Sequence, residues 1–155
     1  ASRRRRYLEL VEAKPILPGV AEYIADAGRL GLRLAVASSS SRQWVSGHLS
    51  RLGLSEHFDC IRCADDVQQA KPYPDVYNSV LDALHVEPRA ALALEDSPNG
   101  VAAAKRAGLF CVAVPNSLTR QLPLDEADLR LESLADLSLE RLIKTAQEAH
   151  TRAAT

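Results

Sequence analysis

The hydrophobic positions of this chain form short, mainly apolar runs, separated by longer segments in which apolar residues recur three and four positions apart. Short apolar runs are typical of strands buried in a parallel sheet, and the wider spacing predicts amphipathic helices. The predicted strands lie at 32–37, 58–61, 90–94 and 109–114, with an edge strand at 128–131. The predicted helices lie at 20–30, 42–52, 74–84, 98–107 and 139–148. This alternation predicts an α/β fold, a doubly wound Rossmann-like parallel sheet with helices on both faces.

Two acidic residues, Glu95 and Asp96, stand where a predicted strand ends and a predicted helix begins. Ser97 is placed to be the N-cap of that helix, Pro98 suits its first position, and Gly108 suits the position just after its end. Ligands of open α/β sheets bind at this edge, and paired carboxylates suit Mg²⁺. Support of the helix cap alone is the competing interpretation of the acidic pair.

The composition is that of an ordinary globular domain. The chain has 155 residues, of which 46% are hydrophobic and 25% charged, and its formal net charge is −1. This balance favours neither nucleic acid nor a membrane surface as a partner. No apolar run has the length of a membrane span, and no signal peptide is recognisable.

The three cysteines, at positions 60, 63 and 111, indicate a reducing compartment, and we expect a cytoplasmic protein. Cys60 and Cys63 form a C-x-x-C pair that could bind a metal, but no second pair or histidine stands at zinc spacing. Buried free cysteines are therefore the favoured interpretation.

Four arginines at 3–6 precede a segment with an apolar helical face. They form either a phosphate or nucleic-acid patch or a solvated helix face, and we favour the solvated face. We assign 1–14 to the end of a helix from another domain, 15–149 to the core domain and 150–155 to a frayed tail.

Three polar groups stand at strand ends or just before helices: Ser38, Lys71 and the Glu95–Asp96 pair. Each is weak evidence alone, because serines and lysines are common on surfaces. A hydroxyl, an ammonium and two carboxylates at one sheet edge together suit a phosphoryl group with its metal ion. We therefore expect Ser38, Lys71 and Asp96 to converge on one crevice.

These groups lie in segments that resemble motifs of the haloacid dehalogenase-like hydrolases. Ala37 and Ser38 after an apolar strand are similar to the second motif of that family. The letters KPYPDVY at 71–77 are similar to the third motif, and LEDSPNG at 94–100 are similar to the fourth. The resemblance runs from about residue 17 to 137 and is strongest to the phosphoglycolate phosphatase and β-phosphoglucomutase branch.

The resemblance implies roles for these residues. Ser38 would bind the transferring phosphoryl group, and Lys71 would balance charge between that group and the nucleophile. Asp96, with Glu95, would hold Mg²⁺ directly or through water. Ser39 and Ser40 become candidates for contact with phosphate or substrate.

One motif of the family is absent from this sequence. The family's first strand ends in D-x-D-G, where the first Asp is the nucleophile, and no such segment occurs here. We therefore expect a C-terminal part of such an enzyme, with the N-terminal strand and most of the cap domain missing. The family topology also predicts an unfilled strand position between 32–37 and 90–94. We expect these 155 residues by themselves to lack phosphatase activity.

The resemblance implies a Mg²⁺-dependent phosphatase or phosphomutase that acts on a small phosphorylated metabolite through an aspartyl-phosphate intermediate. The alternative is a catalytically inactive phosphate-binding or structural domain of the same fold. A dinucleotide-binding domain is disfavoured because no G-x-G-x-x-G follows a strand.

Overall fold

The computed structural model describes residues 14–155, where strands and helices alternate as the hydrophobic pattern predicts. The predicted remnant of a helix at 1–14 lies, apart from Lys14, outside the described residues. The strands are β1 (Ala35–Ala37), β2 (Cys60–Arg62), β3 (Leu92–Glu95), β4 (Phe110–Ala113) and β5 (Leu129–Arg130). The α-helices are α1 (Val20–Arg29), α2 (Arg42–Arg51), α3 (Asp75–Leu84), α4 (Pro98–Arg106) and α5 (Leu139–Ala153).

Every strand pair of the described chain is parallel, which confirms the predicted class of sheet. β1 pairs with β2, with Ala35 opposite Cys60. β3, β4 and β5 pair in that order, with Leu92 opposite Phe110. Within residues 14–155, β1 and β3 belong to separate sheets, as expected for strands that flank an unfilled position.

The side chains of β4 alternate between two apolar cores on opposite faces of the sheet, because successive residues of a strand point to opposite sides. The first core, under α3 and α4, includes Val76, Tyr77, Leu81, Ala93, Val101, Leu109, Cys111 and Ala113. The second core, under α1 and α5, includes Tyr23, Ala27, Phe110, Val112, Leu134, Leu139, Leu142 and Ala146. Helices thus cover both faces, as predicted.

The predicted caps of α4 are confirmed. Ser97 accepts a hydrogen bond from the Gly100 backbone N–H at 3.1 Å, and Pro98 occupies the first turn. Gly108 lies just beyond the helix with a φ of 81°. This left-handed conformation ends the helix and costs a glycine little.

Some element ends differ from the predicted ones. β1 starts at Ala35 rather than 32. Just before it, the Leu34 carbonyl accepts from the Asp59 backbone N–H at 2.8 Å, while the Leu34 N–H donates to the Asp59 carboxylate at 2.9 Å. α5 runs to Ala153 rather than 148, because its packing continues where the His150 ring meets Phe110 at 6.4 Å between ring centroids.

The three cysteines are buried and unpaired, which confirms the interpretation of the C-x-x-C pair. Burial raises the pKa of Cys111 to about 12, so this residue stays a neutral thiol. Across residues 14–155 we find no helix whose length and apolar character suit a membrane span.

Candidate active site

Lys71 occupies the centre of the candidate site, between the ends of two strands that are not paired with each other. Its Nζ donates to the Ala37 carbonyl at 3.0 Å, at the end of β1. The same ammonium forms an ion pair with Glu95, at the end of β3. The exposed fractions are 11% for the Lys71 side chain and 6% for that of Glu95, so this pair is largely removed from water. One ammonium therefore connects the two strand ends that carry Ser38 and Asp96.

Glu95 has a second partner that the sequence did not indicate. The hydroxyl of Tyr77, on α3, donates to the same Glu95 oxygen that binds Lys71. The Lys71 ammonium also lies 5.0 Å from the centroid of the Tyr77 ring, within the range of a cation–π contact. Burial, and after it the negative charge of Glu95, raises the pKa of Tyr77, so its hydroxyl keeps its proton and acts as a donor.

Gly100 leaves the room that the Glu95 carboxylate needs. A Cβ on Gly100 would overlap the carboxylate atoms of Glu95. The absence of a side chain at position 100 thus has a steric cause. The carboxylate lies between the Gly100 backbone on one side and the Lys71 and Tyr77 donors on the other.

Ser38 directly follows β1, and its backbone N–H donates to the Arg62 carbonyl at 2.9 Å. Its hydroxyl oxygen accepts from the Ser40 N–H at 3.1 Å, which folds the loop back on itself. Ser39 is exposed and Ser40 is half-buried. The start of α2 therefore lies directly behind a short polar loop.

The Ser38 loop is fastened to the end of β2. The Ser40 carbonyl accepts from the Ala64 N–H at 3.1 Å. Arg42 at the start of α2 binds the Asp66 carboxylate at 2.6 Å and the Ile61 carbonyl at 3.1 Å. The hydrogen bond from Arg42 lowers the pKa of Asp66, so this carboxylate stays charged. These contacts hold the loop in one conformation before any ligand arrives.

Asp96 follows β3 and is exposed, whereas Glu95 is buried. The Asn116 side-chain amide donates to the Asp96 carboxylate at 2.9 Å. The Asn116 oxygen accepts from the backbone N–H groups of Leu118 at 2.8 Å and Thr119 at 3.2 Å, so its amide orientation is fixed. Sequence reasoning missed Asn116, although it follows β4 at the same end as Asp96 follows β3.

How well these residues suit Mg²⁺ depends on the oxygen atoms that they can offer as ligands. Among residues 14–155, no group of three or more His, Cys, Asp or Glu side chains is arranged to hold a metal ion. Asp96 is exposed and can offer a carboxylate oxygen, which is the ligand type that Mg²⁺ prefers. One oxygen of Glu95 is already bound by Lys71 and Tyr77. The described residues can therefore supply part of the ligand set of a Mg²⁺ site.

The structure thus brings Lys71 into contact with Glu95 and with the residue before Ser38. It keeps Asp96 beside the same strand end, on the exposed side. The Asp75 carboxylate accepts from the Gln69 N–H at 3.3 Å and so braces the loop that carries Lys71. The catalytic, phosphate-binding and metal-binding roles of these residues remain predictions.

Comparison with known proteins identifies the family. The sequence profile of the haloacid dehalogenase-like hydrolases matches residues 4–114, and the chain belongs to this family. YhcW of Bacillus subtilis (strain 168) is 46% identical over 141 residues, which cover 91% of this chain and 64% of YhcW. The resemblance proposed from the motifs is therefore confirmed.

Comparison with solved structures leads to the same family. CbbY from Rhodobacter sphaeroides, crystallised with phosphate, has a TM-score of 0.82 at 41% identity, covering 90% of this chain and 64% of CbbY. A mutant form of the same CbbY was crystallised with xylulose-(1,5)bisphosphate. β-Phosphoglucomutase from Clostridium difficile has a TM-score of 0.82 at 26% identity, covering 96% of this chain and 66% of that protein. The chain thus spans 64% of the length of YhcW and of CbbY.

Proposed function

We propose that the protein is a phosphoryl-transfer hydrolase, a phosphatase or phosphomutase, that acts on a small phosphorylated metabolite. The observation that carries this proposal is the buried Lys71 ammonium, held by Glu95 and the Ala37 carbonyl at the ends of two strands. Membership of the haloacid dehalogenase-like hydrolases supports it, as do the phosphate and the sugar bisphosphate of the CbbY structures. The unpaired cysteines are compatible with a cytoplasmic location.

Lys71 and the Ser38 loop would bind the phosphoryl group. The transition state of phosphoryl transfer spreads negative charge over the equatorial oxygens, so fixed donors and cations at those oxygens lower the barrier. The Lys71 ammonium would supply the cation, and the Ser38 hydroxyl would donate to an oxygen. Ser39 and Ser40 would offer further donors at the start of α2. Because neighbouring contacts already hold the loop, little reorganisation is needed when the ligand binds.

Asp96 would hold Mg²⁺, with Glu95 acting through water. A bound Mg²⁺ would neutralise charge on the phosphoryl oxygens and hold them in place. Asn116 would keep the Asp96 carboxylate in one orientation, because its amide is itself fixed by two backbone donors.

The covalent step would follow the pattern of the family. A carboxylate oxygen of an Asp outside this chain would attack phosphorus, and the bond from phosphorus to the substrate oxygen would break as that oxygen takes a proton from water and leaves as an alcohol. A water oxygen would then attack the phosphorus of the aspartyl phosphate, releasing phosphate and restoring the Asp carboxylate. Lys71 would reduce the repulsion between the attacking carboxylate and the phosphoryl group, since both are negative.

A second candidate function is a catalytically inactive domain that binds phosphate. It is supported by the fixed Lys71 ammonium and the Ser38 loop, since such donors can bind a phosphate group without turnover.

Hydrolysis of p-nitrophenyl phosphate by the full-length protein, with and without Mg²⁺, tests the proposal. We expect Mg²⁺-dependent turnover, and a kcat/KM roughly 100-fold lower for Ser38→Ala because an oxyanion donor is lost. Ser46→Ala is the matched control, since Ser46 is an exposed serine of α2. Phosphate binding without turnover would establish the inactive alternative, and absence of both would refute the proposal.

A further inference from the structure

The Tyr77 hydroxyl is not explained by packing. Tyr77 lies on the inner face of α3 with 8% of its surface exposed, among the apolar residues of the first core. A phenyl ring would satisfy the helical spacing and fill the same space. Placing a hydroxyl in an apolar core costs free energy unless it finds a partner. Its partner here is a charged group of the candidate site.

Two donors converge on one oxygen of Glu95. Lys71 approaches from the loop before α3 and Tyr77 from α3 itself. Gly100 closes the other side of the carboxylate, where even a methyl group would overlap it. The carboxylate therefore has a single position, which is fixed jointly by the hydroxyl, the ammonium and the glycine backbone.

The position of the carboxylate determines where the Lys71 ammonium can be. An ammonium has three N–H donors. Glu95 and the Ala37 carbonyl receive two of them, and a third remains for a phosphate oxygen. The Tyr77 ring face, 5.0 Å from Nζ, limits movement of the ammonium on one further side. Loss of the hydroxyl would leave the carboxylate free to turn, and the ammonium would follow it.

We propose that Tyr77 is a positioning residue: its hydroxyl fixes the Glu95 carboxylate, which holds the Lys71 ammonium between the ends of β1 and β3. What the ammonium then does rests on the proposed function. Tyr77 itself touches no reacting atom, and it acts through Glu95.

Tyr77→Phe tests the proposal, and Tyr23→Phe is its matched control. Tyr23 is 7% exposed in the second core, and its hydroxyl donates to the Leu137 carbonyl at 2.8 Å. Each variant loses one buried hydroxyl and keeps its ring. Both are studied in the full-length protein, well below the unfolding midpoint of the less stable variant.

The first readout is the ¹H–¹⁵N NMR signal of the Lys71 ammonium, which needs no turnover. We expect a resolved signal in the wild type, identified by its loss in Lys71→Arg, because the ammonium is held and shielded from water. Tyr77→Phe should broaden or abolish this signal, and Tyr23→Phe should leave it unchanged. A wild type without the signal, or equal signals in the two tyrosine variants, would overturn the proposal.

The second readout is the division between kcat and KM for p-nitrophenyl phosphate. A misplaced ammonium matters most when two negative groups approach, so Tyr77→Phe should lower kcat roughly 10-fold and change KM less than about threefold. Tyr23→Phe should change neither. If the wild type shows no turnover, the proposed function fails, while the NMR signal alone still decides the role of Tyr77.

Discussion

The two apolar cores on either side of β4 both bury a tyrosine, but they use it differently. In the second core Tyr23 donates to the backbone carbonyl of Leu137. In the first core Tyr77 donates to the Glu95 carboxylate, which also pairs with Lys71. A buried ion pair loses much of its attraction to desolvation, so it is weak evidence for a gain in stability. Its presence beside the first core is what the proposed function requires of this core in addition to the fold.

The largest expected effect is that of Lys71→Met. It leaves the Glu95 charge buried without its cation, so we expect the free energy of unfolding to fall by about 3–5 kcal/mol. Urea unfolding measures this change. Lys105→Met is the control, because the Lys105–Asp128 pair is about one-third exposed and its loss should cost about 1 kcal/mol or less. Equal losses in the two variants would remove the distinction between the buried pair and a surface pair.

A similar loss of stability is expected from Leu142→Ala in the second core. Leu142 is fully buried, and truncation of a buried leucine costs about 2–5 kcal/mol. Activity of the folded fraction should nevertheless equal that of the wild type, because the second core lies on the opposite face of the sheet from Tyr77. Parallel measurements of urea unfolding and kcat/KM separate the two effects. A fall in kcat/KM of the folded enzyme would show that the cores are coupled.

Gly100→Ala should have an intermediate effect. The added methyl group would overlap the Glu95 carboxylate, and such overpacking costs about 1–3 kcal/mol. Gly47→Ala is a control for which we expect the opposite change in stability. Gly47 lies within α2 with open space around it, so alanine there should stabilise the protein by about 0.5–1 kcal/mol. Thermal unfolding of both variants checks this, and a stabilised Gly100→Ala would contradict the steric account.

The smallest expected effect on stability is that of Asn116→Ala, at about 1 kcal/mol or less, because its bond to Asp96 is exposed. Its effect on Mg²⁺ should be larger, since partners that orient a metal ligand contribute about 10-fold in affinity. Calorimetric titration of Mg²⁺ measures this effect, with the exposed Asn78→Ala as control. Unchanged Mg²⁺ affinity would mean that Asn116 only shapes its own turn.

Much of the fold follows from local sequence. Ser97 and Gly108 delimit α4 as predicted, because their effects act within one turn of the helix. The predicted start of β1 was wrong by three residues, and at Leu34 the backbone N–H bonds to the side chain of Asp59. That contact joins positions far apart in the sequence, and no local pattern contains it.

The sequence predicted the residues of the site better than it predicted the contacts between them. Glu95 and Asp96 were treated as one acidic pair, but Glu95 is the last residue of β3 and is buried, whereas Asp96 follows the strand and is exposed. The strand predicted at 90–94 ended before both residues, so the sequence did not separate them. The contact between Tyr77 and Glu95 was not predicted either, because helical spacing indicates that Tyr77 faces inward without saying what its hydroxyl meets.

The double variant Lys71→Met with Glu95→Gln separates a catalytic role of the buried ion pair from a purely structural one. Removing both charges together leaves no unpaired buried ion, so we expect a free energy of unfolding within about 1 kcal/mol of the wild type. Turnover of p-nitrophenyl phosphate by the full-length protein should nevertheless fall by roughly 1,000-fold, because the fixed cation is gone. A stable double variant that keeps wild-type turnover would show that the buried pair belongs to the fold alone and would contradict the account.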